Sequence, residues 1–213
     1  MKLALTLSLA AGLLVHGPCA LSETIFQTDF ESSPIDKLPP EFTPVEGNFV
    51  VRQQDGNRFI ESPDAPVDSY ILLFGPATND NVSVSARVFG TAKGRRYPTF
   101  AIGLNGAAGY RLQVSPGRKE IGLHKGDQVK VSAQFDWKPG EWLWLRLEIA
   151  RVKDNTWRVR GKAWLDGTTE PESWALSIED NAPPKSGRAV ILACPIAGTP
   201  VRFDDLKLDR IGP

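Results

Sequence analysis

Glu141-Trp142-Leu143-Trp144-Leu145-Arg146-Leu147-Glu148-Ile149 and Thr156-Trp157-Arg158-Val159-Arg160-Gly161-Lys162-Ala163-Trp164-Leu165-Asp166 decide the fold, because both alternate apolar and polar residues over nearly their whole length. Strict alternation has the period of a strand, in which successive side chains point to opposite faces. Leu143, Leu145, Leu147 and Ile149 make one face aliphatic, and Trp157, Val159, Ala163 and Leu165 continue it on the second strand. The other face carries Trp142, Trp144, Arg146 and Glu148, then Arg158, Arg160, Lys162 and Trp164. A short polar turn around Asp154 joins the two into an antiparallel hairpin.

A turn centred on Asp154 pairs residues whose numbers sum to about 308. Trp144 then faces Trp164, Arg146 faces Lys162 and Glu148 faces Arg160. A one-residue slip would set aliphatic side chains against charges and is disfavoured. The residues leave two readings open. These are ordinary cross-strand pairs on a solvated sheet, or Trp142, Trp144, Arg146, Arg160, Lys162 and Trp164 form a binding platform for a carbohydrate or polysaccharide. In the second reading an indole covers the apolar side of a sugar ring and the charged groups bond its hydroxyls.

Working outward, strands are predicted at 24–30, 48–53, 57–61, 69–74, 82–89, 97–104, 109–115, 119–125, 128–135, 141–151, 156–166, 173–179, 187–194 and 200–209. Turn residues such as Asp55-Gly56-Asn57, Asn105-Gly106, Lys125-Gly126-Asp127 and Lys138-Pro139-Gly140 separate them. No window has a sustained helical period. Short connections from 97 to 166 imply a run of sequential antiparallel hairpins. Strands this dense predict an all-β, two-sheet antiparallel sandwich. Its expected core is Val84, Phe100, Ile102, Leu112, Leu123, Val131, Leu145, Leu147, Val159, Ile191 and Phe203. The proline-rich segment 31–47 reads as a long loop packed over one end by Leu38 and Phe42.

The first residues, Met1-Lys2-Leu3-Ala4-Leu5-Thr6-Leu7-Ser8-Leu9-Ala10-Ala11-Gly12-Leu13-Leu14-Val15, are one lysine followed by a short apolar run. This is the pattern of a secretory signal peptide, with cleavage after Ala20-Leu21-Ser22. The expected division is therefore a signal peptide at 1–22 and one sandwich domain at 23–213, in a secreted or periplasmic protein. No stretch is long and apolar enough to be a transmembrane segment. The 25 basic residues balance the 25 acidic ones, which argues against nucleic acid as a partner. Cleavage removes Cys19 and leaves Cys194 alone, so the mature chain has no internal disulfide and relies on its core.

Several strands, taken in order, resemble a known superfamily. They are Thr28-Asp29-Phe30-Glu31, Gly109-Tyr110-Arg111-Leu112, Ile121-Gly122-Leu123-His124-Lys125, Gly140-Glu141-Trp142 with Leu145-Arg146-Leu147, and Val201-Arg202-Phe203-Asp204-Asp205-Leu206. Their order is similar to that in secreted bacterial domains of the concanavalin A-like lectin/glucanase superfamily, with laminin-G-like modules and the 3-keto-disaccharide hydrolase domain as the nearest variants. The resemblance implies a jelly-roll sandwich with first and last strands adjacent and a face that holds glycans. It also implies a structural calcium near the termini, for which Asp29, Glu31, Asp204 and Asp205 would supply hard oxygen ligands. Adjacent aspartates on a strand point to opposite faces unless a bulge intervenes. The glucanase carboxylate triplet on one strand does not occur here, so no catalytic residues are assigned. His124 is the only histidine left after cleavage, too few for a zinc site or a serine-type triad with scattered carboxylates. Three functions remain: a glycan-binding module, a glycoside-acting enzyme of the 3-keto-disaccharide hydrolase type, and a ligand-free interaction module of the cell envelope.

Overall fold

The computed structural model describes residues 22–63, 69–195 and 198–212. Except for Ser22, the predicted signal peptide lies outside them. Among the described residues the strands, in chain order, are β1 (Glu23–Thr28), β2 (Thr43–Glu46), β3 (Val50–Gln54), β4 (Asn57–Ser62), β5 (Tyr70–Thr78), β6 (Val82–Gly90), β7 (Thr99–Leu104) and β8 (Tyr110–Ser115). They continue with β9 (Glu120–Lys125), β10 (Gln128–Gln134), β11 (Leu143–Lys153), β12 (Thr156–Leu165), β13 (Leu176–Asp180), β14 (Gly187–Cys194) and β15 (Val201–Arg210). A single 3₁₀ turn, Pro116–Arg118, is the one helical element among the described residues. No described helix is long and apolar enough to cross a membrane.

The strands form two antiparallel sheets. The eight-stranded sheet runs β13-β12-β11-β6-β15-β4-β3, and β1 also pairs with β15. The seven-stranded sheet runs β10-β9-β8-β7-β14-β5-β2. First and last strands are adjacent, as the resemblance implied. The hairpin register is the predicted one: Trp144 pairs with Trp164, Arg146 with Lys162 and Glu148 with Arg160. A bulge between Arg151 and Lys153 shifts the pairing by one residue just before the chain turns through Asp154 and Asn155. Asn155 takes the left-handed conformation (φ 52°), which asparagine tolerates better than most residues.

The inner faces interdigitate into one core. Leu145, Leu147, Val159, Leu112, Leu123, Ile191 and Phe203 are fully buried. The two sheets approach closely at Gly161, where a Cβ would stand 2.5 Å from the Leu112 side chain. Of the predicted core, Val131 alone is only partly buried, because β10 is an edge strand.

Two expectations need correction. The hairpins from 97 to 166 are not one continuous run: β10 ends the seven-stranded sheet and β11 begins in the other. The crossover holds Trp137, buried edge-on against Phe100 at 5.8 Å. The proline-rich loop also contains an unpredicted strand, β2. It pairs only with β5, at the sheet edge where a proline is tolerated. Just before it, Phe42 is buried and stacks on Phe30 at 5.6 Å.

Candidate ligand-binding site

The outer face of the eight-stranded sheet carries all six residues expected to bind ligand, but the structure divides them. Trp144 and Trp164 stack on one another, with ring centroids 5.9 Å apart and planes 8° from parallel. Each indole therefore gives one flat face to the other. The Trp144 N–H donates to Asp166 Oδ1 at 2.8 Å, which ties the pair to the end of β12.

Beside the stack, the loop from β12 to β13 folds back over the charged residues. Glu170 accepts from Arg146 at 3.1 Å and pairs with Lys162 at 2.8 Å. Lys162, only 6% exposed, also donates to the Pro171 carbonyl at 2.6 Å. The Trp174 ring packs face-on against both Arg160 (4.5 Å) and Lys162 (4.7 Å). Arg160 also grips the buried Glu148. Burial alone would raise the pKa of Glu170, but Lys162 and Arg146 outweigh it and hold the carboxyl below its ordinary value. This half of the face is a closed ion-pair network.

Trp142 stands apart. It precedes β11, where β12 has already turned away, and it packs against Phe89 (5.4 Å) and Phe59 (6.1 Å). Together these form the wall of a hollow of about 330 Å³ whose polar lining is Gln54, Asp55, Asn57, Arg87 and Arg202. Arg202 lies over the rings of Phe59 (4.5 Å) and Phe89 (5.1 Å), and its Nε donates to Glu61 at 2.8 Å. Arg87 sits 5.0 Å above Trp142 and is surrounded by Asp166 (3.1 Å), Asp204 (2.8 Å) and Asp205 (2.5 Å). Burial opposes its charge, but Asp205, Asp204 and Asp166 more than compensate and hold its pKa above the ordinary value.

The Asp204-Asp205 pair reaches one arginine because β15 bulges there. Its register with β6 shifts between Asp204 and Lys207, and Asp205 adopts φ 48°. The bulge rotates the second carboxylate onto the face of the first. Burial raises the pKa of both aspartates, and the charge of each neighbour's carboxylate adds to it: Asp205 acts on Asp204, and Asp29 and Asp166 act on Asp205.

These residues do not fit the expected calcium. Asp204 is already held by Asn57 Nδ2 at 2.9 Å and by Arg87, and Asp205 by Arg87. Glu31 accepts from the Arg58 backbone N–H at 2.8 Å, and Asp29 from that of Glu31 at 3.2 Å. The guanidinium stands where a cation would be needed. Among the described residues no three His, Cys, Asp or Glu side chains converge as metal ligands.

Arg87, Asn57, Gln54 and Arg202 were not singled out in the sequence, and neither were Glu170 and Trp174. One signal was available: Arg87 is the charged residue on the outer side of the otherwise small or apolar β6, Ser83-Val84-Ser85-Ala86-Arg87-Val88-Phe89. His124 lies on the outer face of the seven-stranded sheet, opposite Arg111. Burial lowers its pKa, and Arg111 and Arg118 lower it further. Cys194 ends β14 and is half-buried.

No family model and no curated protein matches this chain. Solved structures do, and they share its fold, a two-sheet β-sandwich described for one of them as galectin-like. One is a protein of unknown function with galectin-like fold from Bacillus subtilis, with TM-score 0.60 and 9% identity, covering 89% of this chain and 97% of that one. Another is the carbohydrate-binding module CBM66 from Bacillus subtilis, with TM-score 0.55 and 12% identity, covering 79% and 95% respectively. A third is the exoplasmic/lumenal domain of VIP36 in its Ca2+/Man3GlcNAc-bound form, with TM-score 0.56 and 11% identity, covering 84% and 90%. At such identities the likeness is one of fold.

Proposed function

We propose that this chain is a secreted or periplasmic carbohydrate-binding domain, residues 23–213 after a signal peptide at 1–22, and that the hollow at Trp142 seats the sugar. The observation that carries this reading is the hollow itself, where a half-buried indole stands beside the Gln54 and Asn57 amides and the Asp55 carboxylate. A pyranose has C–H groups for an indole and hydroxyls for amides and carboxylates, so one ring satisfies both kinds of wall. The solved neighbours named as a carbohydrate-binding module and as a Man3GlcNAc-bound domain support the same class of ligand.

Binding is favoured over hydrolysis because Asp55 is the only carboxylate among the residues lining the hollow. A glycosidase needs two flanking the scissile bond. Charge sharpens the ligand class. Asp55, Glu61, Asp166, Asp204 and Asp205 outnumber Arg87 and Arg202 at and behind the hollow. The surplus repels anions, so neutral sugars are preferred over acidic ones. The test is a glycan array on the mature protein, followed by titration of each hit with Trp142→Ala and Trp144→Ala variants. Loss of binding in Trp142→Ala alone is expected. Retention of full affinity in Trp142→Ala would overturn the proposal.

A further inference from the structure

A second hollow, of about 260 Å³, lies at one end of the sandwich between the β7–β8 turn and the loop from β13 to β14. It shares no lining residue with the hollow at Trp142. Pro183 and Pro184 give it an apolar wall, and Asn105, Tyr110, Lys125 and Lys185 give it polar groups. An apolar wall with a few convergent polar groups is the usual form of a small-ligand site.

The polar groups are held firmly and are not fully used. Tyr110 Oη donates to Asp180 Oδ2 at 2.6 Å, and Lys125 Nζ donates to the same oxygen at 2.8 Å. That spends one of the three ammonium donors of Lys125 on the aspartate. Lys185 forms no ion pair among the described residues, which leaves two ammonium groups against one carboxylate. Asn105 is only 9% exposed. Its amide is fixed by donation to the Thr78 and Asn79 carbonyls at 3.0 and 2.8 Å, and Oδ1 is left without a partner among the described residues. The turn around it is closely packed: a Cβ on Gly109 would stand 2.0 Å from the Leu104 carbonyl oxygen, and one on Gly187 would stand 2.4 Å from the Asn105 backbone.

We infer that this hollow binds a small hydroxylated carboxylate. Its carboxylate pairs with Lys125 and Lys185, its hydroxyls face the polar lining formed with Asn105 and Tyr110, and its carbon skeleton lies against Pro183 and Pro184. The volume suits one sugar ring or less, below the usual size of a drug-like site. An acidic monosaccharide and a simple hydroxy acid share this chemistry. The net positive charge here is opposite to that around Trp142, so the two hollows select different ligands, and this inference stands apart from the glycan reading.

The test is NMR titration of the ¹⁵N-labelled full mature chain with glucuronate, glucose and glycerate. Glucuronate is expected to shift the amides of Asn105, Gly109, Ala182 and Lys185, with glucose leaving them in place. Glycerate binding as tightly as glucuronate would support the same site and identify a hydroxy acid as sufficient; weaker glycerate binding identifies the sugar ring as part of the ligand. Lys185→Glu, an exposed substitution, is expected to weaken glucuronate at least about fivefold, and Trp142→Ala is expected to leave it unchanged. Equal shifts with glucose, no shifts in this set with glucuronate, or an unchanged affinity in Lys185→Glu would each overturn the inference.

Discussion

Trp142 and Trp144 lie two residues apart and point to the same side of the same sheet, yet they meet different surroundings. Trp144 has a tryptophan directly across the hairpin and an aspartate for its N–H, next to a network roofed by Glu170 and Trp174. Trp142 has no such partner, because β12 ends at Leu165 and the chain turns away, with the Asp166 N–H closing on the Trp142 carbonyl at 3.0 Å. Its neighbours come from β6 and β4 instead, and they line a wall rather than a lid. Alternation gives an aromatic residue its face. Whether that face is structure or site depends on what stands opposite and what the next loop does.

The largest expected effect serves as a control on this comparison. Leu145, fully buried one residue past Trp144 on the opposite face of β11, belongs to the core beneath both regions. Leu145→Ala should lower stability by about 2–5 kcal/mol in chemical denaturation, with sugar affinity intact while the domain is folded. A selective loss of affinity would mean that the regions are not independent. Next, Trp142→Ala should weaken a neutral sugar about thirtyfold, about 2 kcal/mol, as for a central aromatic anchor, and Trp144→Ala should leave affinity within about twofold while reducing stability. Calorimetric titration of both variants checks this, and the reverse pattern would place the sugar on the stacked pair.

An acid titration tests the other end of the molecule to a similar extent. Burial alone would raise the pKa of Asp180, but hydrogen bonds from Lys125, Tyr110 and the Ala182 N–H bring it down to about 2. A depressed folded-state pKa contributes stability above the unfolded value, near 3.8, and that contribution fades as pH falls toward 2. The loss should approach about 2 kcal/mol, and Asp180→Asn should flatten this part of the pH–stability curve. The same cluster acts in alkali. Burial, then the bond to Asp180, raises Tyr110 to about 12. Its contribution is complete below pH 10 and lost as pH rises through 12. The smallest effect is on the roof: Glu170→Ala should lower stability by about 1 kcal/mol, since Glu170 is 38% exposed and its pairs are partly screened. It should also make Trp174 more accessible to a fluorescence quencher.

Alternation and turn chemistry alone determined the all-β class, nearly every strand, the aliphatic core and the 144–164 register. These are local properties: side chains alternate, a slip by one residue exchanges the faces, and buried aliphatics tolerate little error. The strand β2 escaped because prolines mask an edge strand whose pairing is decided by β5. The division of strands between sheets escaped because a crossover and a hairpin have similar lengths and turn residues. What only the tertiary structure decided is the site. The bulge that turns Asp204 and Asp205 onto Arg87, the loop that brings Glu170 and Trp174 over Arg146, Arg160 and Lys162, and the meeting of Asn57, Phe59, Phe89 and Trp142 all join residues from strands far apart in the chain. A sequence pattern carries the face on which a side chain stands, but not the distance to a partner on another strand, and that distance separates a saturated ion pair from an open binding wall.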